Sequence, residues 1–317
     1  MPNDVPMTVA TTSNGKLRFS VPIQIGDAPP FAALLDTGSA GLTILPTAVP
    51  DGAYDSISTT PATGGYGGTL AYSGRVAAAT LRIGTFASDG TIDVVHVDSF
   101  ACDTNNPGCS ISDEVLDHYS GFGAILGIGM RQRASGTTVG NPIAQLPGGP
   151  AFVVRTPAFP GGNGTLRIGP ATSELTHFTF AQLTIDTSHA TLPNGVPNWD
   201  DRSLQSCVVD TTTQTQYCAP SLLDSGTPSI GIALPSHSGD DTVLAPGDDL
   251  QIFVDDAVGA SPDYAFTVGA TPQPGLDRVL ITATTSAESI NLGTSPFFRF
   301  AFYFDQQRGL IGRGAPF

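Results

Sequence analysis

Leu34-Leu35-Asp36-Thr37-Gly38-Ser39 and Leu222-Leu223-Asp224-Ser225-Gly226-Thr227 are two versions of one pattern, their aspartates 188 residues apart. In each, an apolar pair runs into an aspartate that is followed by a hydroxyl, a glycine and a second hydroxyl. One such string is a good β-turn and no more. Two of them, one in each half of a chain, can face each other across a two-fold axis. Carboxylates about 3 Å apart cannot both ionise, so such a pair shares one proton. One site then holds an acid and a base together, which is what activating a water molecule requires.

Outward from these motifs, 317 residues suffice for two lobes of about 150 residues, each with its own core. The expected division gives 1–173 to the lobe of Asp36 and 174–317 to the lobe of Asp224. With 37 glycines, 26 prolines and many Thr, Ser and Val, the chain suits short strands and tight turns. Strands are expected over 17–25, 32–35, 75–83, 92–97, 151–156, 165–168, 251–254, 264–268, 278–283 and 297–304. A short helix is expected over 112–119 with Ser112 as its cap, and a single turn over 141–146. The fold class is all-β. Ile125-Leu126-Gly127 and Asn291-Leu292-Gly293 each follow an aspartate motif and can support its loop from beneath.

The 13 Lys and Arg against 28 Asp and Glu, a formal charge of −15, exclude a basic face for nucleic acid or anionic lipid. No apolar run reaches membrane-spanning length. Neither nucleic acid nor membrane is therefore expected as a partner. The five histidines are scattered and no cysteines have C-x-x-C spacing, so no metal site is expected. The acidic pairs Asp200-Asp201, Asp240-Asp241, Asp248-Asp249 and Asp255-Asp256 lack calcium-loop spacing and read as solvated turns. Neither a phosphate-cradling glycine loop nor a Gly-x-Ser-x-Gly elbow occurs, and no cofactor is expected. Cys102 lies close to Cys109, and Cys207 to Cys218. Two local disulfides, each closing a surface loop, are the natural pairing; four reduced, buried thiols are the alternative. Disulfides imply an oxidising compartment. Because Met-Pro-Asn-Asp-Val has no signal-peptide core, the expectation is a secreted or periplasmic protein whose signal segment is absent from these residues.

The order of these features resembles the pepsin-like aspartic peptidases from end to end. Asp-Thr-Gly-Ser is followed by Tyr66-Gly67-Gly68-Thr69, then Gly123-Ala124-Ile125-Leu126-Gly127 and an inter-lobe stretch over 151–169. Asp224-Ser225-Gly226-Thr227 comes next, then Leu292-Gly293, Asp305 and Gly309-Leu310-Ile311-Gly312. There are departures. Thr43 stands where animal pepsins carry the tryptophan that supports the flap tyrosine. The cysteine pair after the first aspartate is missing, while Cys207 and Cys218 flank the approach to the second as a similar pair does in pepsins. Short loops after Gly127 and Leu234 point to a compact microbial member.

The resemblance implies a bilobal fold of two β-barrel-like lobes with a cleft between them. It implies a monomeric endopeptidase that hydrolyses peptide bonds at acidic pH. The substrate is a peptide or protein segment bound extended, with apolar side chains flanking the scissile bond. Asp36 and Asp224 are the implied catalytic pair, with water as nucleophile and no cofactor. Thr37 and Ser225 match the hydroxyls that bond across the lobes. Ser39 and Thr227 match those on the outer carboxylate oxygens, and Gly38 and Gly226 let backbone approach. Tyr66, Gly67 and Gly68 match the flap, with Tyr72 as the rival tyrosine. The alternative is a non-catalytic secreted protein on this fold that binds protein or polysaccharide. Such relatives lose a catalytic element, whereas both aspartates and all four hydroxyls are present here.

Overall fold

Strand Leu17–Ile25 is buried along nearly its whole length, because it runs through the middle of a sheet rather than along one face of it. By contrast, Leu70–Ala79 alternates, with Leu70, Tyr72, Gly74 and Val76 turned inward. The computed structural model describes residues 3–13, 15–104, 106–132, 137–157, 162–238, 241–254, 261–270 and 278–315. Asp240, Asp255, Asp256 and the turn residues Pro160 and Gly161 lie outside them. Among the described residues fifteen strands form one sheet and eight form a second, with one further two-stranded pair. The protein is all-β, with a single α-helix among the described residues, Ile111–Tyr119.

Both sheets repeat one device. Phe31–Asp36 pairs in parallel with Ala124–Ile128, which pairs antiparallel with Ala40–Ile44. The strand over 124–128 therefore lies between the two strands joined by the Asp36 turn and closes its base. In the second sheet Thr215–Leu222 pairs in parallel with Ser289–Asn291, which pairs antiparallel with Ile230–Leu234 beyond the Asp224 turn. Each aspartate is thus carried on a turn pinned from below by a strand distant in sequence.

Strands from both sides of residue 173 share the larger sheet. Ala301–Asp305 pairs with Ala151–Arg155 and with Leu310–Gly314, which in turn pairs with Thr179–Gln182. The core follows the same route. The Phe19 ring meets Phe297 at 5.8 Å and Phe298 at 5.5 Å, and Phe152 stacks on Phe304 at 5.1 Å. Each such ring stabilises by roughly 1.5–3 kcal/mol through burial.

Several elements differ from expectation for identifiable reasons. The stretch 297–304 begins as a 3-10 turn, Ser295–Phe298, because Pro296 occupies its first turn; only Ala301–Asp305 is strand. The stretch 75–83 breaks at Thr80, so that Leu81–Ile83 can leave its neighbour and pair with Leu17–Ile25. The helix is capped at Ser110 rather than Ser112, and its last turn ends at Ser120 in the left-handed region (φ 53°). Ser56–Tyr66, unexpected from a run containing Pro61 and two glycines, is the terminal strand of its sheet. An edge tolerates proline, and the register shifts there between Ile57 and Pro61.

Both disulfides form as paired by proximity. Cys102–Cys109 ties the end of strand Ile92–Cys102 to the turn before the helix. Cys207–Cys218 does not close a surface loop but joins directly opposed residues of the hairpin Leu204–Asp210/Thr215–Leu222, the arm that leads to Asp224. Among the described residues no helix is long and apolar enough to cross a membrane. Replacing Cys207 and Cys218 by alanine is expected to cost about 2–3 kcal/mol on the chain-entropy argument, read as a fall in the denaturation midpoint.

Candidate active site

Hydroxyls that follow each aspartate build the site. Thr37 Oγ1 donates to the Leu223 carbonyl (2.7 Å) and accepts from the Ser225 N–H (2.9 Å). Ser225 Oγ donates to the Leu35 carbonyl (2.7 Å) and accepts from the Thr37 N–H (3.0 Å). The four bonds are related by a two-fold axis, and both side chains are buried. Each hydroxyl uses its one donor and one acceptor site on the opposite loop, so the distance between the loops is fixed.

Within each loop the aspartate accepts two bonds in the same pattern. Asp36 Oδ1 takes the Gly38 N–H (2.8 Å) and Oδ2 the Ser39 hydroxyl (2.5 Å). Asp224 Oδ1 takes the Gly226 N–H (2.8 Å) and Oδ2 the Thr227 hydroxyl (2.9 Å). The two carboxylates reach across to each other's turn. A Cβ on Gly38 would lie 2.2 Å from Asp224 Cγ, and one on Gly226 2.5 Å from Asp36 Oδ1. Only glycine leaves room for the opposite carboxylate at either position.

One contact breaks the symmetry. Asn291 Nδ2 donates to Asp224 Oδ2 at 2.6 Å, and its Oδ1 accepts from the Gly293 N–H at 2.9 Å, which sets the orientation of the amide. At the matching place before Leu126-Gly127 the chain carries Ile125, which has no donor to give. Burial first, and then the charge of Asp224, push Asp36 up to about 7, against the pull of Ser39 and Gly38. Burial and repulsion thus favour the protonated form of Asp36, opposite the carboxylate that receives the extra donor.

The aspartates form the floor of a cleft of about 420 Å³. Tyr66, Gly67 and Gly68, at the tip of the hairpin Ser56–Tyr66/Leu70–Ala79, line it. The Tyr66 ring packs against Tyr72, His118 and Tyr119 at 5.7–5.9 Å. Tyr72 itself is buried with Ala62, Val76 and Val95 and does not line the cleft. The Thr69 hydroxyl ties the hairpin tip to the helix, donating to Glu114 Oε2 (2.6 Å) and bonding His118 Nε2 (2.9 Å). Thr43 is buried opposite Ile125 and Val95.

Sequence reasoning missed Asn291 and a buttress behind the first loop. Asp201 is buried, not part of a solvated turn. It accepts from the Met130 N–H (3.0 Å) and pairs with Arg131, whose other terminal nitrogen donates to the Gly38 carbonyl. Asn291 had a visible signal, since a polar residue replaces Ile125 of the matching segment. The Asp201–Arg131 pair had none, because its members are 70 residues apart. Among the described residues, no group of three His, Cys, Asp or Glu side chains is placed to hold a metal ion.

Fold and site together define an aspartyl peptidase-like protein. The chain matches the PE-PGRS C-terminal aspartyl peptidase-like domain over residues 3–313 and belongs to that family. No curated protein matches it.

Two outcomes follow from this geometry. Thr37→Val leaves the buried Ser225 N–H without its acceptor and is expected to cost about 2 kcal/mol in a denaturant titration. The second concerns pH. Asp36 stands at about 7 in the folded chain against an ordinary 3.8, so the folded chain keeps a proton that the unfolded chain releases between these values. The stability this contributes is complete below about pH 4 and is lost as pH rises through 7. Denaturation midpoints followed over that window are expected to fall more for the wild type than for Asp36→Asn.

Proposed function

We propose that the chain is a pepsin-like aspartic endopeptidase that hydrolyses extended peptide segments laid across the cleft, acting as a monomer. The observation that carries this reading is the pair of carboxylates, each held by its own loop's N–H and hydroxyl and fixed in distance by the Thr37–Ser225 bonds. In the first step Asp224 takes a proton from water as its oxygen attacks the scissile carbonyl carbon, and Asp36 gives its proton to the carbonyl oxygen. A neutral gem-diol results. Asp224 then returns its proton to the amide nitrogen while a diol hydroxyl reprotonates Asp36, and the C–N bond breaks. Atoms and charge balance at both steps, and the site returns to its starting form. The shared-proton logic is that of aspartic-protease dyads in general.

The hairpin tip at Tyr66 would close over the bound segment. Its support is aromatic packing with Tyr72, His118 and Tyr119 together with the Thr69–Glu114 bond. The division of the chain into lobes at residues 173 and 174 belongs to the same reading. So does a secreted or periplasmic location, which the two disulfides support.

Incubation with an unfolded protein mixture at roughly pH 3 to 7, followed by sequencing of the products, tests the reading. Asp36→Asn and Asp224→Asn are each expected to abolish turnover, and the double variant to be no worse than either, since the two act as a unit. Substantial cleavage by either single variant would sink the assignment. The pH profile is expected to be bell-shaped, with its alkaline limb near 7, where Asp36 loses its proton. Tyr66→Ala is expected to lower kcat/KM by roughly one to three decades; if Tyr72→Ala does so instead, the flap residue is misassigned.

A further inference from the structure

Cations are scarce in this chain: 13 Lys and Arg against 28 Asp and Glu. Two of those cations, Arg131 and Arg202, nevertheless line the cleft that holds the aspartates. They are not equivalent. Arg131 spends its charge on Asp201 and is fixed to the Asp36 loop through the Gly38 carbonyl. Arg202 follows Asp201 directly and is exposed. Its backbone N–H donates to Asp200 Oδ1 (3.0 Å), but among the described residues its guanidinium makes no ion pair. The charge of Arg131 disfavours that of Arg202, holding it below the usual arginine value. Asp201, Asp200 and Asp224 act on Arg202 in the opposite sense, but none of them pairs with its guanidinium as Asp201 pairs with Arg131. An exposed guanidinium thus faces the cleft on a chain whose net charge of −15 otherwise repels anions.

We propose that Arg202, backed by Arg131, is an anion subsite that takes a carboxylate of the bound peptide. The preferred substrate then carries an aspartate or glutamate close to the bond that is cut, or ends there in its own C-terminal carboxylate. This rests on the peptidase reading and departs from the wholly apolar flanks that the family resemblance implies. A guanidinium offers two parallel N–H donors to a carboxylate, which a lysine ammonium cannot do, and Arg131 and Asp201 keep the loop around it in place. The apolar part of the cleft, at Leu34 and Ile125, is left for an uncharged side chain elsewhere in the same segment.

Binding and turnover are read separately. In the Asp36→Asn variant, anisotropy of labelled, C-terminally amidated peptides differing only in Glu or Lys is expected to show about tenfold tighter binding of the Glu peptide, weakened by salt. Arg202→Glu is expected to invert the order and Arg202→Gln to erase it. A preference shown only by free-acid peptides over their amides identifies the C-terminal carboxylate as the occupant. Equal affinity for all of these peptides, undetectable binding included, or a preference unchanged in both Arg202 variants, overturns the proposal. Wild-type digestion of the same peptides distinguishes the two readings. Carboxylate-selective binding with no cleavage sinks the peptidase reading alone, whereas cleavage without any charge preference sinks the subsite alone.

Discussion

Four hydrogen bonds between Thr37 and Ser225 and the loops opposite them fix the spacing on which the site depends. Each hydroxyl donates to one carbonyl and accepts one N–H, so neither loop can shift without losing two bonds in a region closed to water. Buried polar groups left unpaired in this way cost far more than a surface contact would. The glycines at 38 and 226 are a consequence of that spacing. Once the loops are held this close, each carboxylate occupies the volume that a side chain on the other turn would need. The strands 124–128 and 289–291 are a further consequence, since a loop under such constraint needs a rigid base.

A symmetric frame gives two equivalent carboxylates, either of which can keep a shared proton. The difference comes from residues outside the repeated motifs. Asn291 adds a donor to Asp224 where Ile125 offers Asp36 nothing. Both loops are held by a backbone bond, Gly129 N–H to the Ser39 carbonyl and Thr294 N–H to the Thr227 carbonyl, and the Arg131–Asp201 pair adds a brace to the Asp36 loop alone through the Gly38 carbonyl. Duplicated sequence supplies the frame, and single substitutions on each half make the surroundings of the two carboxylates unlike.

How much of this was legible in the sequence follows from the range of each interaction. The aspartate turns could be read because their bonds run two or three residues along the chain. The supporting segments could be read because they repeat. The cysteines could be paired because they are neighbours, although the cross-strand placement of Cys207 and Cys218 was not foreseen. Ser56–Tyr66 escaped because its polar, proline-bearing sequence is acceptable only at a sheet edge, and edge position is a property of the whole fold. Asp201 escaped for a related reason. An Asp-Asp pair looks solvated until an arginine from 70 residues away is brought against it.

The place of the last two strands has a bearing on timing. Ala301–Asp305 and Leu310–Gly314 fill the gap between Ala151–Arg155 and Thr179–Gln182, strands made well before them. Until residue 305 has left the ribosome, Ala151–Arg155 presents an open edge and Phe152 lacks the ring it stacks on. The larger sheet, which carries the strands around Asp36, closes only once residues 301–314 are in place. Pairings of such sequence separation are slow to form. A nascent chain that already carries both aspartate turns but stops short of residue 301 has an unfinished sheet behind the first of them.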